Sequence, residues 1–341
     1  MTKTRDLANL ADLNFDSGTM VVDKTNDRVG VGNPTPSATL DVDGTIKLDG
    51  NYPVGTANVA LGDTALDSLS TGQRNTGIGH NALTSVSSGQ RNTAVGYIAL
   101  TNATGSYNAA FGEQALQATT TGEYNAAIGT SAAASNTTGS YNTALGSSAL
   151  LYNTTASNNT AVGYIALTAN TTGGGNTAIG GFTLAFNSTG ASNTGVGNSA
   201  LYDNTSGNNN VAVGESSLEN NTTASYNTAV GYQAGYYNTD SLNLALFGYR
   251  AGYSITTGGS NNAFFGTQAG YSNTTAYNNV AIGRQSFFSN TTGLSNVAVG
   301  SSALYSNTTA SNNTAVGYLA GFANTTGAEN TSVGMQSLDA N

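Results

Sequence analysis

With 341 residues, a formal net charge of −9 and twice as many acidic as basic side chains, the chain is poorly suited to a nucleic-acid partner. It has no cysteine, which excludes disulfides, zinc thiolates and thiol catalysis, and no run apolar enough to span a bilayer. Forty-four glycines and only 8% charged residues would by composition alone suit a disordered chain, so any order must come from pattern.

Residues 1–57 stand apart. They hold all three prolines (Pro34, Pro36 and Pro53), 5 of the 9 basic and 8 of the 18 acidic residues. This composition break predicts a separate N-terminal module. The opening MTKTRDLANLADLNF lacks the apolar run of a secretory signal, so export by the general pathway is not expected. Gly18–Val22, Arg28–Gly32 and Ala38–Val42 read as short strands, with a turn at Asn33–Pro36. Residues 45–57 read as a link into the rest of the chain. Gly30-Val-Gly32 is half a dinucleotide fingerprint, but Pro34 follows and no helix opens. Asp41-Val-Asp-Gly44 lacks most ligands of a calcium loop. No cofactor or metal is expected.

From residue 58 to 341 a glycine recurs in a nearly constant step, from Gly62 through Gly163 to Gly334. Of its sixteen intervals, fourteen are 17 residues, one is 16 and one is 18. So short a period means a stack of small equivalent units. With the glycine as position zero, the unit reads N-T-A-V-G-x-x-A-L-x-x-N-T-T-G-x-x, as in Asn159–Leu167. A large apolar residue precedes each glycine, and nearly always an Ala or Gly precedes that. Alternation on a strand puts these two on opposite faces. The Ala-Leu pair predicts a second short strand, and Gly-Asn-Thr density disfavours helix. The predicted fold is therefore all-β: a parallel β-solenoid, or β-roll, of about seventeen 17-residue coils. Strands about 4.8 Å apart make the stack roughly 80 Å long.

Several columns follow from the register. Asn75, Asn92, Asn108, Asn125, Asn142, Asn159 and Asn176, four residues before the glycine, are expected to form a structural ladder; the alternative is that Asn suits a turn. In Asn243–Gly248 one extra residue before the glycine predicts a β-bulge. One Val or Ile, one Leu and a few methyls make a thin core, so packing between copies is expected. Alanines before the glycine (Ala94, Ala110, Ala127, Ala144) and after it (Ala82, Ala99, Ala115, Ala149) offer close approach about a three-fold axis, or else fill a monomeric coil. In the C-terminal repeats Leu gives way to Gly plus an aromatic, as at Gly235-Tyr236, Gly252-Tyr253, Gly270-Tyr271 and Gly321-Phe322. There the next ring is expected to fill the interior. Asn341 falls within a repeat without a polar cap, predicting a covered end or a removed segment.

Chemistry-bearing residues are sparse. His80 is the lone histidine, at a turn, and the acids recur at no fixed offset, so an enzyme is not expected. Asn-Thr-Thr at Asn136, Asn153, Asn170 and Asn307 matches a glycosylation sequon but reads as a turn. Tyr97, Tyr164, Tyr232, Tyr249 and Tyr318 follow the glycine, with Tyr124, Tyr141 and Tyr226 beside the Asn column. They are candidate glycan contacts or shields for the coils. A threonine column (Thr137, Thr154, Thr171, Thr205, Thr222, Thr291, Thr308, Thr325) could form an ice-binding array or shape turns.

The repeats NTAVGYIAL and NVAVGSSAL resemble the N-S-V-A-I-G repeats in the heads of trimeric autotransporter adhesins, which implies a trimer of left-handed parallel β-rolls. The longer unit departs from that pattern through its inserted N-T-T-G, and the signal, stalk and anchor of that family are missing. The segment Asp27–Ile46 is similar to a stretch common in bacteriophage tail fibres, and Thr2–Leu10 resembles the start of fibre proteins from phages of marine bacteria. These resemblances imply a homotrimeric virion fibre for host attachment, assembled in the host cytoplasm. Its N-terminal module would bind other virion proteins, and a host surface glycan would be its target. A bacterial surface adhesin or filament subunit is the alternative, and an ice-binding solenoid a further one.

Overall fold

The computed structural model describes residues 20–23, 28–31, 35, 37, 40–42 and 57–338. The chain divides into two compact units, Met1–Asn51 and Tyr52–Asn341. In the first, β1 (Met20–Asp23) pairs antiparallel with β2 (Arg28–Val31), which pairs parallel with β3 (Leu40–Val42). All three fall where short strands are predicted. Most of the Asn33–Pro36 turn and of the 45–57 link lies outside the described residues.

The second unit is a parallel β-solenoid. Its seventeen strands run from β4 (Val59–Leu61) and β5 (Thr76–Ile78) to β19 (Thr314–Val316) and β20 (Thr331–Val333), each three residues long. Each strand pairs in parallel with its neighbours in the chain; Thr160, Ala161 and Val162, for example, face Thr177, Ala178 and Ile179. The first and last strands do not touch each other. The stack is thus a linear ladder, one strand per coil.

The predicted second strand does not form. The Ala-Leu segment is a turn in which Leu100, Leu167 and Leu304 take φ of 47°, 53° and 48°. That left-handed conformation points the leucine inward and cannot continue a strand. Each coil carries up to three such non-glycine residues: two and four after the glycine, and five before it. Each costs about 1 kcal/mol or more. Hydrogen bonds between coils offset that strain. In one coil, Gly163 donates to the Leu145 carbonyl, Leu167 to Thr183 and Thr177 to Asn193, at 2.8–2.9 Å. The coil is therefore held on both sides.

The core corrects the alanine assignment. Ala94, Ala110, Ala127 and Ala144, and Ala82, Ala99, Ala115 and Ala149, are all buried within a single chain. They line the coil interior beside the leucines and are not available to an axis between copies. The residue on the other face of the strand is the exposed one. Ile128 is 48% accessible, whereas its neighbour Ala127 is 0%.

The predicted Asn ladder is present and buried. Asn75, Asn92, Asn108, Asn125, Asn142, Asn159 and Asn176 are each at most 1% accessible. Its links run mainly from side chain to backbone. The Asn159 oxygen accepts from the Asn176 amide at 2.9 Å, and its Nδ2 donates to the Gly173 carbonyl at 3.0 Å. A second ladder lies in the N-T-T-G segment. Asn153 Nδ2 donates to Asn136 Oδ1 at 2.8 Å and Asn170 Nδ2 to Asn153 Oδ1 at 2.9 Å, and the column continues to Asn324. The sequon asparagines Asn136, Asn153, Asn170 and Asn307 are thus fully buried. Stacked amides satisfy one another where so thin a core has little apolar area.

Both ladders break in the same coil, at Leu244 and Ile255. The predicted bulge at Asn243–Gly248 is absent: Ala245, Leu246 and Phe247 pair in register with Thr228, Ala229 and Val230. Leu244 simply takes the Asn position, its amide donating to Asn227 Oδ1 at 2.9 Å. The extra residue of the 18-residue interval falls instead in the outer turn at Gly258, where open space accommodates it.

Nor do the C-terminal rings fill the interior. Leu246 and Phe264, on the strands where other coils carry Ala, are fully buried there. A Cβ on Gly270 would lie 2.3 Å from Phe264 Cε2, and one on Gly252 would lie 2.8 Å from Leu246 Cδ2. Space, not backbone freedom, demands glycine here, since Leu holds the same left-handed conformation elsewhere in the column.

Candidate functional site

The solenoid presents its functional chemistry as columns rather than as a cleft. No group of three or more metal-ligating side chains occurs among the described residues, and no helix of the described chain is long and apolar enough to cross a membrane. His80 is exposed, 3.5 Å from the Asp63 carboxylate and stacked 5.6 Å from the Tyr97 ring.

The first surface is the outer face of the strands. It carries Thr, Ala or Val three residues before the glycine, and Val, Ile, Leu or Phe one before it. Not one of these positions in β4–β20 is charged. Leu61, Phe111, Ile128, Leu145, Ile179, Phe265, Ile282, Val316 and Val333 are exposed, and Phe247 stacks on Phe265 at 4.9 Å. Sixteen steps of about 4.8 Å, across a strip about 10 Å wide, make roughly 800 Å² of flat, uncharged surface. That approaches the share of one partner in a standard protein interface, and the continuous apolar column along one side of the strip suits association.

The second surface is aromatic. Tyr97, Tyr164, Tyr232, Tyr249 and Tyr318 are exposed in one column. The fold brings only Tyr232 and Tyr249 together, stacked at 5.6 Å; the others are separated by at least three coils. Tyr97 packs on His80, and Tyr164 meets the edge of Phe182. Arg250 sits 5.2 Å above the Tyr249 ring and 5.0 Å above that of Tyr253, and its Nε donates to Gln233 Oε1 at 2.8 Å.

The rings after Gly235, Gly252, Gly270 and Gly321 lie outside the core and form a ladder that adjacency in sequence does not reveal. Tyr253, Tyr271, Phe288, Tyr305 and Phe322 stack at 5.1–5.2 Å, continuing from Tyr236. Burial within the stack, together with the bond to Tyr237, pushes the Tyr253 phenol up to about 12. Burial first, and Glu219 second, raise that of Tyr236. These phenols therefore stay protonated at neutral pH. Stacked rings cover one another's faces, so this ladder offers edges to a ligand, not platforms.

The threonine column lies at the surface, half-buried or exposed, with its hydroxyls bonded along the stack. Thr137 Oγ1 donates to the Thr154 carbonyl at 2.8 Å, Thr171 to Ser188 at 3.0 Å and Thr308 to Thr325 at 3.1 Å. These hydroxyls tie one turn to the next and do not form a free, flat array.

No protein-family model and no curated protein matches this sequence. The surfaces themselves therefore carry the functional reading.

Proposed function

We propose that this chain is a structural and adhesive fibre subunit, of the kind that forms virion tail fibres, working as a homotrimer in host attachment. The observation that carries this reading is the uncharged outer strand face, continuous through all seventeen coils. A surface repeating every coil is matched along its whole length only by a partner of the same period. A second and third copy of the chain supply that period. The contact between copies thereby moves from the alanine columns, which are interior, to the Val/Ile/Phe column.

The repeats and the sheet formed by β1, β2 and β3 agree with a scaffold that presents surface rather than chemistry. Attachment to other virion proteins falls to the first unit, and host glycan contact to the solenoid. A bacterial surface adhesin or filament subunit uses the same features; a membrane anchor encoded in a longer gene would favour it. The ice-binding reading loses its threonine array, because those hydroxyls are spent within the stack.

Fluorescently labelled protein tests the adhesive role. Saturable adhesion to the surface of some bacterial strains, displaced by unlabelled protein, is the expected outcome. Uniform, unsaturable binding to every strain, or none across a broad panel, would contradict it.

A further inference from the structure

The position five residues before each glycine is left-handed in every coil, with φ between 55° and 72° in Arg91, Tyr107, Tyr141, Asn158 and Gly175 alike. That conformation favours Asn and Gly. After Tyr141 the column mostly carries Asn or small residues, namely Asn158, Gly175, Ser192, Asn209, Asn243, Asn261, Asn278, Ser295 and Asn312, with Tyr226 and Glu329 as isolated exceptions. Five successive earlier coils break it with long side chains: Arg74, Arg91, Tyr107, Tyr124 and Tyr141. All five are exposed, so the strain brings no core packing in return. The amides of Arg91, Tyr107, Tyr124 and Tyr141 bond to the preceding coil as that of Asn158 does, so what sets these coils apart is the unbroken run of long exposed side chains.

The five form one row. The Arg91 guanidinium lies 5.0 Å over the Tyr107 ring and donates to its hydroxyl. Tyr107 stacks on Tyr124 at 4.6 Å, and Tyr124 on Tyr141 at 5.1 Å. Arg74 makes no ion pair or side-chain hydrogen bond among the described residues, and Arg91 has no carboxylate partner. Only four arginines occur in residues 57–338, and two of them are here in successive coils. Glu123, beside Tyr124, is the acidic neighbour and leaves the positive end at Arg74 and Arg91.

We infer that Arg74, Arg91, Tyr107, Tyr124 and Tyr141 bind a linear acidic polysaccharide laid along the stack. The row presents two guanidinium groups and then three phenols, at steps of about 4.8 Å. A carboxylate or sulfate pairs with the guanidinium groups, and sugar hydroxyls bond to the row of phenols. An extended polysaccharide repeats its groups on a comparable step, so successive sugars meet successive coils. This inference rests on the adhesive reading above and names the class of glycan.

Isothermal titration of the full chain with polygalacturonate, dextran sulfate and neutral dextran tests it. Binding to either or both acidic polymers, weakening with salt, and none to neutral dextran is expected; which of the two binds distinguishes carboxylate from sulfate. The double variant R74Q/R91Q should lose about tenfold or more in affinity. Y124N/Y141N, which adopts the residue the column prefers and so folds, should lose several-fold. R284Q, at an exposed arginine far along the stack, serves as the control and should bind as the parent does. Equal binding to neutral dextran, no binding to either acidic polymer, or an equal loss in R284Q would overturn the inference. Cell adhesion separates the two readings: adhesion unchanged in R74Q/R91Q overturns the inference alone, whereas no adhesion by the parent overturns the fibre reading.

Discussion

Gly163→Val is expected to cost about 4 kcal/mol or more and to split the solenoid into two independently melting blocks. Two effects add. The backbone of Gly163 sits at φ +138°, a region essentially closed to residues with a Cβ. A Cβ there would also lie 2.4 Å from the Gly180 carbonyl oxygen, in the backbone of the next coil. Neither can relax, because the strands on both sides are in register. In a stack whose coils touch only their neighbours, a break in one interface uncouples what lies on either side. Calorimetry should then show two transitions in place of one. Gly175→Asn is the control: its φ is +72°, a Cβ would meet nothing closer than 3.6 Å, and Asn fills this column in other coils. It should leave the melting profile within about 0.5 kcal/mol of the parent.

The second large effect is a coupled one. Phe264→Ala should destabilise by about 3–5 kcal/mol, because it empties a fully buried ring from a thin core. Gly270→Leu should also destabilise, by about 1–3 kcal/mol, because the new side chain meets that same ring. The double variant restores the Ala and Leu found together in coils such as Ala161 and Leu167. It should be far more stable than the sum of the two losses predicts. A double-mutant cycle by chemical denaturation measures this, with a coupling of about 2–3 kcal/mol. Additive losses would mean that Phe264 and Gly270 do not share one space.

The solenoid was legible because its strongest requirement is written in one residue type. A backbone at φ near +130° whose neighbour passes within van der Waals contact admits glycine and nothing else. The first Asn ladder was legible for a similar reason: a buried amide that caps the next coil tolerates little replacement. Orientation was not legible. A period shows which residues share a column, but not whether the column faces inward. The turn after the glycine, with Leu167 left-handed, swings Ala166 and Leu167 into the interior, and Ala161 follows from the strand. Val162 is left outside. The alanines, which the sequence leaves open to an interface or an interior, are therefore core, and the valines expected in the core are surface.

The second Asn ladder was missed because N-T-T-G also matches turn chemistry, and nothing local distinguishes an exposed turn amide from a stacked one. Of the candidate site, the shared column of Tyr97, Tyr164, Tyr232, Tyr249 and Tyr318 and their spacing along the stack were legible from the period, but the rings that pack on them were not. The row from Arg74 to Tyr141 went unread as a unit. Its signal is conformational: long side chains in a column that otherwise favours Asn and Gly, which only the backbone angles disclose.

Self-association through the outer strand face is the claim on which the fibre reading depends, and the native mass by light scattering on a sizing column tests it most directly. The account predicts a mass about three times the 34.2 kDa chain, and a shift to the single-chain mass when Val162 and Ile179 are both replaced by glutamate in the midst of that face. A stable single-chain mass for the parent protein, or a glutamate pair that leaves a trimer intact, would contradict it.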